Sequence, residues 1–239
     1  MRHGSALIVA MEGMSRIAFR IAKEVAQNSR SGLTLRFLSR KFDISESEIE
    51  YIVDLHDKLF FFDLTRVRLV AEGASAVERV CAGLENYGDV PSLIKVVREL
   101  DAHDFHRLEE TLNLESPCSR NKASQVLIER CYGRPESIIE YVAQHSFSKN
   151  AQELFDVIWQ SPRGMMPLSE LRAVSGKKEY ELERALTELF QGFALFELFR
   201  FDGEDRLVRF AAILHELREW REAKSTSGTP HSFPKPAKK

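Results

Sequence analysis

Few residues in this chain have the types and spacing that chemistry needs. His103-x-x-His106 sets two imidazoles one helical turn apart, and Cys118 and Cys131 follow, a donor set compatible with zinc. The short Cys-x-x-Cys knuckle is missing and Cys131 falls at an inward helical position, so no metal site is expected. The chain has no glycine-rich phosphate loop, nucleophile elbow or His-Glu-x-x-His pair, and its carboxylates recur at the spacing of solvated helix faces. Neither a catalytic centre nor a cofactor is expected. An enzyme would need a site assembled from distant residues.

The remaining chemistry is charge. Basic residues gather in the first third (Arg30, Arg36, Arg40, Lys41) and in the middle (Arg120, Lys122, Arg130, Arg134). They recur at Lys177, Lys178 and Arg184, and again at Arg200, Arg206 and Arg209. Such clusters could neutralise phosphates, which is where most affinity for nucleic acid originates. Against this, the 239 residues carry a net charge of −2 with a pI near 6.4, so contact must be local and weak. With 44% hydrophobic and 29% charged residues the composition is that of a globular protein. Three scattered cysteines argue against a disulfide framework, and Ala6–Met11 is too short for a signal core or a membrane span. A cytoplasmic protein without membrane contact is expected.

The elements that would position these residues are legible from periodicity. A lead-in, residues 1–10, precedes a helix over Met11–Asn28, with Ile17, Ile21 and Val25 on one side. A short helix, Thr34–Phe42, follows the turn at Ser29–Gly32. Ser45 and Glu48 form a capping box for a helix over Glu46–Leu59 whose buried stripe is Ile49, Ile52 and Val53. Two strands, Phe60–Leu64 and Arg66–Val70, meet at Thr65. Residues 73–150 read as a helical middle region that includes a helix over Arg134–Phe147. The pattern then returns: an apolar-periodic helix ends at Ser161-Pro162-Arg163-Gly164, short and long helices span Leu168–Val174 and Glu179–Phe190, and strands Ala194–Phe201 and Arg206–Phe210 flank Asp202–Asp205. Leu38 to Ile49 spans the same interval as Leu171 to Leu182, which marks an internal repeat. A closing helix, Ala211–Lys224, and a disordered Pro/Ser/Gly-rich tail, residues 225–239, complete the chain.

Helix, helix, helix, hairpin in this order resembles the winged-helix superfamily, here twice, over residues 11–72 and 151–224. The fold expected is mainly α with small β-hairpins: tandem winged-helix units joined by a helical middle region. A helical bundle with incidental aromatic runs is the alternative. Residues 100–131 loosely resemble a SAP-type helix-turn-helix, although Asn121 stands where that family has glycine before its lysine. The winged-helix resemblance implies DNA reading through the third helix and the hairpin "wing" with its Arg200, Arg206 and Arg209. The residues of the first copy oppose this, because Glu46, Glu48, Glu50, Asp54 and Asp57, with Lys58 the main offset, would repel phosphate.

The expected function is therefore a non-enzymatic adaptor. Glu46, Glu50, Asp54 and Phe61 would bind a protein partner, while Arg120, Lys122, Arg130, Arg134, Lys177, Lys178, Arg184 and the wing arginines touch DNA weakly or without sequence preference. The architecture resembles tandem winged-helix accessory subunits of chromosome-organising ATPases and the DNA-binding flanks of helicases, which makes an ATPase or helicase the implied partner. The rivals are a dimeric sequence-specific transcriptional regulator, reading a palindrome through Glu179–Phe190, and an enzyme with a dispersed site.

Overall fold

The computed structural model describes residues 3–86, 90–100, 102–111, 114–115, 117–127, 129, 147–192, 194–215 and 217–218. It is mainly helical with two small three-stranded antiparallel sheets. The chain divides into two compact units: residues 1–85 with 199–209, and residues 86–198 with 210–239. Among the described residues no helix is long and apolar enough to cross a membrane.

The first unit opens with α1 (His3–Met11), which buries Ile8 and Met11. The chain breaks at Gly13, whose φ of +79° suits glycine, and Ser15 restarts it by accepting from the Ala18 N–H at 3.3 Å. The helix that begins there, α2 (Arg16–Gln27), buries Ala18, Ile21, Ala22 and Val25 at helical spacing. The single helix expected over Met11–Asn28 is thus two elements, and the lead-in is helical from His3, because the Gly13/Ser15 stop-and-cap pair overrides the continuous apolar pattern. Next come β1 (Leu33–Thr34), α3 (Leu35–Phe42), α4 (Glu46–Leu55), β2 (Phe60–Asp63), β3 (Arg66–Leu69) and α5 (Gly73–Asn86). The capping box at α4 is present: Ser45 Oγ accepts from Glu48 N–H, and the Glu48 carboxylate accepts from Ser45 N–H at 2.9 Å. That helix ends at Leu55, a turn earlier than its apolar stripe suggested, with the His56 N–H closing onto Ile52 and Val53 carbonyls. The sheet runs β1-β3-β2, pairing Leu33 with Val67 and Phe60 with Leu69.

Residues 199–209 complete this unit. Gly13 N–H donates to Leu207 O and Leu207 N–H to Met14 O, each at 2.8 Å. Arg16 pairs with Asp205 at 2.6 Å and lies over the Phe201 ring, which meets Phe19 edge-on.

The second unit contains α6 (Leu93–Glu99), α7 (Ala102–Thr111) and α8 (Arg120–Leu127), then α9 (Lys149–Gln160), β4 (Met165–Pro167), α10 (Leu168–Ser175) and α11 (Glu179–Gln191). The strands β5 (Phe196–Phe201) and β6 (Leu207–Ala212) follow, of which residues 199–201 and 207–209 belong to the first unit, and their sheet runs β4-β6-β5. Ala211 and Ala212 were expected to open a helix. They continue β6 instead, pairing with Met166 and Met165, because a third strand needs that partner. The helix expected over Arg134–Phe147 lies outside the described residues apart from Phe147, as do half of the closing helix and the whole tail.

The repeat is gap-free from the first helix to the third. Ser15 and Ser148 cap α2 and α9, each accepting from the N–H three residues on at 3.3 Å. Leu35 and Leu168 begin the second helices, and Asp43 and Gly176 end them in the left-handed conformation. Glu48 and Glu181 occupy equivalent third positions of α4 and α11, each accepting from a backbone N–H at the cap. Each copy also has a short strand before its second helix, which aromatic and β-branched patterning did not mark because it is two or three residues long. Gly176 (φ +60°) has open space around a built Cβ, whereas at Gly32 (φ +64°) the same atom would lie 2.8 Å from Arg68 Cγ and 3.0 Å from Val67 O. Gly176→Ala should therefore cost about 1–2 kcal/mol through left-handed strain alone, and Gly32→Ala clearly more. Urea denaturation of the two variants measures the difference.

Candidate functional site

Burial of Ile49 and Val53 fixes which side of α4 meets solvent. Outward go Glu46, Glu48, Glu50, Asp54 and, just past the helix, Asp57. Among these carboxylates stand two large apolar side chains one turn apart, Tyr51 at 67% exposure and Leu55 at 60%. The hairpin β2–β3 adds Phe61 and Phe62, both exposed, and at its tip Leu64, 95% exposed with φ +57°. A two-residue turn ordinarily puts glycine, asparagine or aspartate in such a conformation, so a leucine there carries a conformational cost of about 1–2 kcal/mol. The hairpin's arginines are engaged: Arg66 donates to Ser31 and Gly32 carbonyls at 3.2 Å, and Arg68 donates to Arg30 O and pairs with Asp63. The predicted partner-binding residues Glu46, Glu50, Asp54 and Phe61 therefore belong to one helix and the strand that follows it, all exposed.

The equivalent face of α11 differs. Glu183, the counterpart of Glu50, is buried, and Glu188 accepts from Ser148 N–H and Oγ. Tyr180, Arg184 and Thr187 are exposed, with Lys178 at the cap. Lys177 is committed, donating to Asn150 at 2.9 Å and to Glu153 at 2.7 Å, and this ammonium holds the Glu153 carboxyl below its ordinary range.

Of the wing arginines, Arg209 is buried (4% exposed), with Nη1 3.4 Å from Glu12 Oε1. Arg200 is half-buried on β5. Arg206 is exposed and reaches Glu204 at 3.2 Å, within a turn organised by Asp202, whose carboxylate accepts from the Glu204 and Arg206 N–H groups.

In the middle region Arg120 works as a cap. Its Nη1 donates to Val97 O at 2.9 Å and Arg98 O at 3.3 Å, two carbonyls in the last turn of α6, and its guanidinium lies 4.6 Å from the Phe105 ring. Lys122 is exposed; Arg130 and Arg134 lie outside the described residues. Periodicity did not single out Glu109, a buried carboxylate that accepts from Cys118 N–H at 2.8 Å and lies 3.3 Å from His106 Nδ1. Its signal was available only as an acidic residue on the inward side of α7. Cys131 lies outside the described residues, and among those described no group of three or more His, Cys, Asp or Glu is placed to hold a metal.

Comparison with protein-family models gave no match, and comparison with curated proteins gave none.

Two measurements separate structural from surface charge. Arg120→Ala removes charge-assisted hydrogen bonds from a helix end and should lower stability by about 1–3 kcal/mol, while Lys122→Ala should leave it within about 0.5 kcal/mol; thermal melts distinguish them. His56, at the end of α4, is held below its ordinary imidazole range by burial. A lowered folded-state value means the stability is whole above about pH 6.5 and is lost as pH falls through the folded value. His56→Gln should flatten that part of a stability–pH curve.

Proposed function

We propose that the chain is a non-enzymatic adaptor built from two winged-helix units. The element order helix–strand–helix–helix–strand–strand, repeated with its third strand between the other two, supports that family reading. The observation that carries the functional reading is the outward face of α4: four carboxylates, with Asp57 just beyond the helix, around Tyr51 and Leu55. In the winged-helix family this helix approaches the duplex, but here Coulomb repulsion from phosphate opposes it. A protein surface that buries the two apolar side chains and offers cations to the rim gains on both counts. Nucleic-acid contact is left to exposed cations such as Lys122, Lys178 and Arg184, which supports weak, salt-sensitive binding. The winged-helix resemblance makes an ATPase or helicase of a DNA-processing complex the partner to seek, and the cytoplasm the place to seek it.

Co-purification from the native host, followed by mass spectrometry, tests the reading. A stoichiometric protein partner should be retained by the wild type and by Lys122→Ala. It should weaken by about thirtyfold or more in the double variant Tyr51→Ala/Leu55→Ala, as loss of interface anchors does. Tight binding of one particular duplex at physiological salt, undiminished in that double variant, would overturn it in favour of a transcriptional regulator.

A further inference from the structure

A second surface of the first unit has the opposite character to α4. The helix α3 turns Leu38 fully inward and leaves Arg36, Phe37, Arg40 and Lys41 exposed, with no carboxylate anywhere in its eight residues. Together with Thr34 these four side chains line one shallow, open depression. Arg36 and Arg40 are one turn apart on the same side, and neither has an ion-pair or hydrogen-bond partner among the described residues. Lys41 pairs with Glu24, and its ammonium stands 5.9 Å from the Phe37 ring. Phe37 is 44% exposed at this basic surface. Thr34 Oγ1 accepts from the Phe37 N–H at 3.3 Å, which leaves the hydroxyl hydrogen available to an acceptor.

We propose that the depression on α3 is a binding site for single-stranded nucleic acid, in which one base stacks on Phe37 while Arg36 and Arg40 take the flanking phosphates. An exposed aromatic ring beside two unpaired arginines is the combination that binds single strands, since every base has a π-face and every linkage a charge. A duplex is disfavoured for two reasons. Its bases are already stacked and do not present a face to the ring. The adjoining helix α4 also turns four carboxylates to solvent, which penalises two charged strands more than one. An acidic peptide could meet the arginines, but it offers Phe37 an aromatic face only where it happens to carry an aromatic residue, whereas every nucleotide carries one. This site is independent of the partner surface on α4.

Fluorescence anisotropy of the full chain with a short labelled oligo(dT) decides the matter. Two phosphate contacts predict a log–log salt slope of about −1.4. Phe37→Ala should weaken binding by about fivefold to a hundredfold, and Arg36→Gln with Arg40→Gln should remove most of the salt slope. Phe37→Trp should retain affinity, with tryptophan emission quenched on binding beyond any change in the wild type. All substituted positions are exposed, and unchanged melting temperatures will show that the variants are folded. Equal binding of an abasic strand or of poly-glutamate, tighter binding of the matched duplex, or wild-type affinity in Phe37→Ala would each overturn the proposal.

Discussion

The inward turn of Ile49 and Val53 is the constraint on which the surface chemistry of the first unit depends. A helix of 3.6 residues per turn can bury one stripe against its neighbours, and once these two are inside, everything at intermediate angles is outside. The capping box at Ser45 and Glu48 locks the start of the helix, so its register has little freedom to rotate. Glu46, Glu50, Asp54, Tyr51 and Leu55 then face water because the core demands it. Leu182 and Leu186 impose the same orientation on α11, but the side chains carried outward are different. One scaffold thus presents two surfaces of different electrostatic character.

Segregation of charge within the first unit follows from the same logic applied to neighbouring helices. In α3 the single buried Leu38 leaves most of a short helix in solvent, and that exterior is cationic and aromatic. In α4 the exterior is anionic and apolar. A net charge near neutrality conceals two opposed local fields, each close to exposed rings that could bury area against a ligand. Leu64 adds a strained backbone at an exposed tip, the kind of cost that tends to concentrate where a surface is used.

Much of this was legible in the residues. Helical period gave the buried stripes, Ser45 with Glu48 gave the start of α4, and the equal Leu38–Ile49 and Leu171–Leu182 intervals gave the repeat. The short strands β1 and β4 were not legible, because two or three residues cannot display a period; they exist only as partners for β3 and β6. The roles of Arg120, Lys177 and Arg209 were likewise hidden. A cation reads as surface charge until the fold supplies the carbonyls of α6, the carboxylate of Glu153 or that of Glu12 beside it. Phe37 was obscured differently: its exposure depends on how little of α3 the core takes up.

The first unit is assembled from two stretches of chain far apart in sequence, and this has a consequence for synthesis. The Gly13 N–H, the Met14 carbonyl, the Arg16 guanidinium and the Phe19 ring each take a partner from residues 201–207. While a ribosome is still producing the intervening segments, that side of the nascent domain stays uncovered, with its backbone groups satisfied by water alone. Closure of the first unit therefore waits until residues 199–209 have emerged, and a fragment cut after α5 would lack the segment that completes it.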